Sequence, residues 1–120
     1  MGIWFAAILC VYKKGDENID LGSGSSALPL FLAKGGAEIT AFDLLNPVEK
    51  PLLSTHPNLE YKQGTMTDLP FKNSSFDLVL CISAIEHLDY LPDKQKQVSY
   101  LDYLTSVKKS LSEMVRVCKK

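Results

Sequence analysis

Apolar and polar residues change rhythm several times along the chain, and each change marks an expected boundary between elements. Asn18 to Leu21 reads as the end of a strand, and Gly22 to Ser25 as a tight loop after it. Leu28, Phe31 and Leu32, at i, i+3 and i+4, predict the buried face of a helix from about Ser26 to Lys34. A serine at its start, Pro29 in its first turn and Gly35-Gly36 at its end supply the start and stop signals. "AEITAF" predicts a second strand ending at Asp43, and Asn46-Pro47 opens a short helix that Pro51 limits and His56-Pro57 ends. "LEYKQG" predicts a third strand and "TMTDLPFKNSS" a loop rich in turn residues. "FDLVLCIS" predicts a fourth strand, nearly continuously apolar, as in a parallel sheet covered on both faces.

The remainder reads as helical. From Asp93 to Lys120 there is neither glycine nor proline, and an apolar stripe runs from Val98 through Leu101, Leu104, Leu111 and Val115 to Cys118. Strands alternating with helices at this spacing predict an α/β fold: a Rossmann-like, doubly wound parallel sheet with helices on both faces. Residues 1–120 are expected to form one domain. Ile3 to Tyr12 is an apolar run too short to span a bilayer, with no lysine or arginine before it. It reads as a buried helix leading into the first strand.

Composition narrows the partners. A net charge of −1 with no basic tract gives no electrostatic reason to expect nucleic acid or an anionic membrane. Cys10, Cys81 and Cys118 are odd in number and far apart. They suggest neither a metal site nor a disulfide framework, which suits a reducing, cytoplasmic setting.

The chemistry concentrates in "NIDLGSGSS". Gly22 and Gly24 follow the first strand, where a Cβ would block close approach of a ligand to the backbone, and the next helix aims its N–H groups at the same place. With Ala27 they satisfy the loose dinucleotide pattern G-x-G-x-x-G/A, although a loop that needs glycine only for its conformation reads the same way. Asp43 ends the second strand, nineteen residues beyond Gly24, where a carboxylate can accept both ribose hydroxyls of an adenosine. A simple turn aspartate is the alternative. Leu44 and Leu45 follow it in place of Arg or Lys, which disfavours a 2′-phosphate. Asp20 chooses between ligands. A pyrophosphate would meet its negative charge, whereas an ammonium and a sulfonium would be attracted. S-adenosylmethionine carries both cations, an adenosine and a carboxylate. An Asp20 that merely ties down the loop amides is compatible with that role.

These residues resemble the motifs of the class I S-adenosylmethionine-dependent methyltransferases, especially the small-molecule enzymes with a "type 11" domain. "NIDLGSGSS" resembles their first motif, "ITAFD" their second, and "GTMTDLPFKNSSFDLVLCISAIEHL" their third and fourth. The resemblance implies that Asp20, Gly22, Ser23 and Gly24 face the methionine portion, and Asp43 with Leu44 the ribose. Asp68 would accept from the adenine amino group with Thr67 and Leu69 beside the ring, and Cys81, Ile82 and Ser83 would lie near the sulfonium. Asp68 also fits a turn or cap before Leu69-Pro70. Ser26 replaces the third glycine of many members, and Asn18 an apolar residue, which suggests a weak start to the first strand.

The implied reaction is in-line attack by an acceptor's nucleophile on the sulfonium methyl, for which the protein mainly aligns and desolvates the reactants. His87 is the candidate base where the nucleophile must lose a proton, ahead of Glu86, although such a histidine more often bonds backbone. No metal is implied. The family's sheet has seven strands and this sequence supplies about four, so C-terminal strands are expected to be missing and strand four to keep an open apolar edge. Three readings follow: a methyltransferase acting on a small-molecule acceptor, the nucleotide-binding half of an NAD-dependent oxidoreductase, and a non-catalytic partner subunit that associates through that edge.

Overall fold

The order β3-β2-β1-β4, with every neighbouring pair parallel, is the arrangement from which the rest of the molecule follows. In the computed structural model the described residues are 13, 15–24, 26–45, 56–82, 84–85, 88, 90–91 and 96–120. Strands β1 (Glu17–Leu21), β2 (Glu38–Asp43), β3 (Leu59–Gln63) and β4 (Leu78–Leu80) form the sheet. The chain steps outward from β1 to β3 and then crosses back to place β4 on the other side of β1. The order therefore reverses at β1, and the crevice beyond the carboxyl ends of β1 and β4 is where open α/β sheets bind ligands.

Helix α1 (Leu28–Lys34) and helix α2 (Tyr100–Val117) serve opposite faces. Leu32 and Ala33 of α1 pack with Ala37, Ile39 and Leu80 in one apolar cluster. Val117 and the half-buried Met114 of α2 join Ile19, Leu21, Phe42, Leu69 and Phe76 in the other. The expected doubly wound α/β arrangement is present. Asn18, which suggested a weak start to β1, is buried, and its amide donates to the Asp16 carbonyl at 3.0 Å and the Glu38 carbonyl at 3.2 Å. It fastens β1 to β2 where an apolar residue could not.

Several helical expectations are corrected. α1 begins at Leu28, two residues later than the serine suggested, because the Ser26 hydroxyl accepts the Leu28 amide at 3.2 Å from outside the helix. Its inner line is Pro29, Leu32 and Ala33, while Phe31 is 47% exposed. The Ala37 amide closes back on the Leu32 carbonyl at 3.1 Å and the Gly36 amide on Ala33 at 3.0 Å, so the helix ends in a Schellman turn that sends the chain into β2. The C-terminal helix starts only at Tyr100. A short antiparallel pair, β5 (Tyr90–Leu91) with β6 (Lys96–Gln97), comes before it. Ser99 caps α2 by accepting the Asp102 amide at 3.1 Å. Of the expected stripe, Leu101, Leu111 and Val115 are exposed while Val98, Leu104, Val107, Met114 and Cys118 are half-buried, and the fully buried positions are Ser110 and Val117.

Phe76 and Cys118 form an isolated parallel bridge, and the Lys119 amide donates to the Phe76 carbonyl at 2.8 Å, so the residues after α2 run alongside the approach to β4. No helix among the described residues is long and apolar enough to cross a membrane. The apolar run at Ile3–Tyr12 and the helix expected at Asn46-Pro47 lie outside the described residues.

The inverted roles of two phenylalanines provide a test. Phe42 is 1% exposed and meets Phe71 edge to face at 5.7 Å. Phe42→Ala should cost about 3–5 kcal/mol in urea unfolding, against less than about 1 kcal/mol for Phe31→Ala on the solvent side. Equal losses would contradict the observed α1 orientation.

Candidate functional site

The carboxyl ends of β1 and β2 are joined through main-chain groups. Gly22 and Ser23 both direct their amides at the Phe42 carbonyl, at 2.7 and 3.1 Å, so the chain turns sharply as it leaves β1. Two glycines make the turn possible, for different reasons. Gly22 has φ of +69°, and a Cβ there would also collide with that of Ala84, just past β4. Gly24 has φ of +52° and a nearest neighbour at ordinary contact distance, so only its backbone conformation demands glycine.

Asp43 locks the loop. One carboxylate oxygen accepts the Gly24 amide at 2.6 Å and the other the Leu45 amide at 2.9 Å. Its own carbonyl accepts the Gly64 amide at 2.9 Å, which fixes the chain leaving β3. Each carboxylate oxygen of Asp43 thus holds a main-chain amide at the ends of β1 and β2.

Asp20 sits on the central strand, paired with Ala41 on one side and Leu80 on the other, and is 3% exposed. Burial, with a smaller contribution from the Asp43 charge, pushes its carboxyl up to about 7. A cation brought to this point would relieve both effects, whereas an anion would deepen them.

The third wall is the segment after β3. Gly64 lies flat on the Phe42 ring, where a Cβ would come within 2.6 Å of Cζ. Thr65 then organises a turn: its hydroxyl pairs with that of Thr67 at 2.8 Å and accepts the Thr67 amide at 3.2 Å, while its carbonyl accepts the Asp68 amide at 3.2 Å. The resemblance implied Leu69 beside a base, but its side chain is 3% exposed and belongs to the core, so it can offer a ligand only its backbone.

Asp20, Gly22, Ser23, Gly24, Asp43 and Leu44 thus gather around the ends of β1 and β2, Thr67 and Asp68 stand beyond β3, and Cys81 follows β4, half-buried. Ser23 is buried and Leu44 half-exposed. The anion-binding role expected of α1 is weakened, because the helix has only seven residues and its Pro29 lacks an N–H. His87, Glu86 and Ser83 lie outside the described residues. A cavity of about 270 Å³ lined by Glu17, Glu38, Thr40, Asn58 and Glu60 opens at the amino ends of the strands, remote from this loop. No group of metal-ligating side chains occurs among the described residues.

Two residues escaped the sequence reading. Glu113 and Arg116, near the end of α2, reach the segment after Asp68: Glu113 accepts the Leu69 amide at 2.7 Å, and Arg116 donates to the Leu69 carbonyl at 2.9 Å. Hydrogen bonding to Arg116 holds the Glu113 carboxyl below its usual range. Their signal in the sequence was an acid and a base at i, i+3 on a helix, a pattern that commonly marks a solvated pair.

The sequence model of the methyltransferase domain matches residues 19–120. Among curated proteins, the ubiquinone biosynthesis O-methyltransferase of Vibrio parahaemolyticus serotype O3:K6 is 32% identical over 79 residues, covering 62% of this chain and 34% of its own length. The chain spans about a third of the length of that relative. A solved structure from Anabaena variabilis, assigned to an antibiotic biosynthesis pathway, superposes with a TM-score of 0.73 at 25% identity, over 97% of this chain and 41% of its own. A SAM-dependent methyltransferase of Methanosarcina mazei gives 0.66 at 26% identity, over 94% and 52%.

The buried acid sets a pH dependence. A folded carboxyl held near 7 against 3.8 favours folding at low pH and loses that advantage as pH rises from about 4 to about 7. Asp20→Asn should therefore match the parent in urea unfolding near pH 4 and exceed it near pH 8, by on the order of a few kcal/mol. Parallel pH profiles for the two proteins would contradict the burial of an ionisable Asp20.

Proposed function

The chain belongs to the methyltransferase domain family, and we propose that it holds S-adenosylmethionine beyond the carboxyl ends of its strands and transfers a methyl group from it to a small-molecule acceptor. The observation that carries this reading is the Gly22–Gly24 loop, pinned by Asp43 at 2.6 Å with the buried Asp20 in front of it. The donor set fits that cofactor. Two carboxylates close to a bare backbone suit an ammonium, a sulfonium and a ribose diol, whereas the pyrophosphate of NAD would add negative charge to a partly dry acidic site. The relatives of 25% identity or more include a protein described as SAM-dependent, which supports the same choice.

In this reading Asp20, Gly22, Ser23 and Gly24 take the methionine portion. Asp43 and Leu44 take the ribose, Thr67 and Asp68 the adenine with Leu69 behind them, and the main chain at Cys81 borders the sulfonium. When bound, the cofactor supplies a methyl group already activated by positive sulfur. The protein's task is then alignment and exclusion of water. The relatives named O-methyltransferases favour an oxygen nucleophile on the acceptor, which must lose a proton. His87, a few residues past β4, is the side chain we assign to receive it.

Calorimetric titration of the chain with S-adenosylhomocysteine, and separately with NAD, tests the cofactor. The expected result is saturable binding of S-adenosylhomocysteine alone, weakened at least about tenfold, or about 1.4 kcal/mol, by Asp43→Ala. A circular dichroism spectrum of the variant shows that the fold survives. Preference for NAD, or a folded chain that binds neither compound, would overturn the assignment.

A further inference from the structure

Asp68 precedes a residue whose main-chain amide and carbonyl are both held by side chains. Both polar groups of Leu69 are held by one ion pair on α2: Glu113 Oε2 accepts its amide at 2.7 Å, and Arg116 Nη2 donates to its carbonyl at 2.9 Å. Arg116 Nη1 donates to the Phe71 carbonyl at 2.7 Å and to Asn73 Oδ1 at 3.0 Å. Each side chain also fixes the other, since Arg116 Nε and Nη2 meet the two Glu113 oxygens at 2.7 Å. The Leu69 side chain is anchored in the core. The amide of the Asp68–Leu69 peptide and the carbonyl of the Leu69–Pro70 peptide are therefore both held, which ties down the Thr65-centred turn at its far end.

We propose that Glu113 and Arg116 are a positioning pair, which fixes the Leu69 peptide so that Thr67 and Asp68 face the base of the bound nucleoside. This inference rests on the cofactor reading above. It differs from a role in stability alone. An i, i+3 ion pair that only supported α2 would be satisfied by its own two members, and reversing it would cost the helix little. Here the backbone dictates the polarity: an N–H needs the carboxylate, and carbonyls need the guanidinium. Hydrogen bonding to Glu113, and to a smaller extent the Asp68 charge, favours the charged form of Arg116. A planar, forked donor is required to span the Leu69 and Phe71 carbonyls at once, so lysine is no substitute.

The test compares S-adenosylhomocysteine with S-inosylhomocysteine, in which a carbonyl replaces the amino group that Asp68 would receive. Both are titrated into the parent chain, Arg116→Lys, Glu113→Gln, and the exchanged pair Glu113→Arg with Arg116→Glu. The parent should prefer the adenosyl compound at least about tenfold, through the one hydrogen bond that Asp68 can accept from the amino group and not from the carbonyl. Arg116→Lys and the exchanged pair should lose most of that preference while keeping their affinity for the inosyl compound. Equal weakening towards both compounds, or recovery in the exchanged pair, would reduce the two residues to helix support and overturn the proposal. Should Arg116→Lys fail to fold, Glu113→Gln carries the comparison: it keeps an oxygen for the Leu69 amide but turns an NH2 towards Arg116 Nε, and it should lose the same preference. A parent chain that binds neither compound would sink the cofactor reading itself. Binding of both without preference would sink the role of Asp68, and the positioning role with it.

Discussion

Everything at the ligand end of this molecule depends on where the Asp43 carboxylate spends its hydrogen bonds. Its side chain holds the Gly24 amide at 2.6 Å and the Leu45 amide at 2.9 Å, and its carbonyl holds the Gly64 amide at 2.9 Å. One residue therefore fixes the exits of β1, β2 and β3 relative to each other. Bonds from main-chain N–H groups to an ionised carboxylate are stronger than those between neutral partners, so the anchor can hold a loop that has no side chains of its own to pack. The glycines are a consequence. With the Gly22 and Ser23 amides on the Phe42 carbonyl and the Gly24 amide on the Asp43 carboxylate, the chain turns within three residues: Gly22 and Gly24 adopt positive φ, and Gly22 must also clear Ala84.

The anchor has an electrostatic cost. It places one acid beside another that is already buried, and Asp20 responds by binding its proton more tightly than a free aspartate does. Neither burial nor repulsion helps folding above neutral pH, and Asn at position 20 would preserve the shape without the charge. A chain that keeps an acid at such a position sacrifices stability for an electric field, which is the usual signature of a site built for a ligand. The sign of that field also limits the ligand. Positive groups stabilise this corner, and further negative groups do not.

The parts that could be read from sequence are those in which a local rule and the global fold agree. The strands were legible because continuous apolar runs such as that at Leu78–Leu80 occur where helices cover both faces, and the loop was legible because glycine has few substitutes at positive φ. Helix faces were less so. Phe31 and Leu111 fit an apolar stripe by spacing, yet the helices bury Ala33 and Ser110, small side chains that a hydrophobicity pattern undervalues. The onset of α2 was missed because nothing apolar changes at Ser99: its hydroxyl, capping the Asp102 amide, sets the boundary. The strand order and the contact of α2 with residues 69–73 are long-range facts, and no local pattern encodes them. The identity of the cofactor was suggested by charge at Asp20 and by resemblance, not by periodicity.

Asp43 and the Glu113–Arg116 pair solve one problem in two ways. Each must hold irregular backbone rigid at the mouth of a sheet, where no strand partner is available. Asp43 does so from the end of a strand, with a short side chain whose direction the sheet fixes, and so it can act alone. The segment after Asp68 has no strand next to it, so its anchor must come from across the molecule on long side chains with many rotamers. Such side chains are precise only when several bonds converge on them, which explains why Arg116 meets Glu113, Leu69, Phe71 and Asn73 together. The two anchors also differ in what can disturb them. The Asp43 anchor moves only if the sheet moves. The other moves with α2, whose outer face carries the exposed Leu101, Leu111 and Val115.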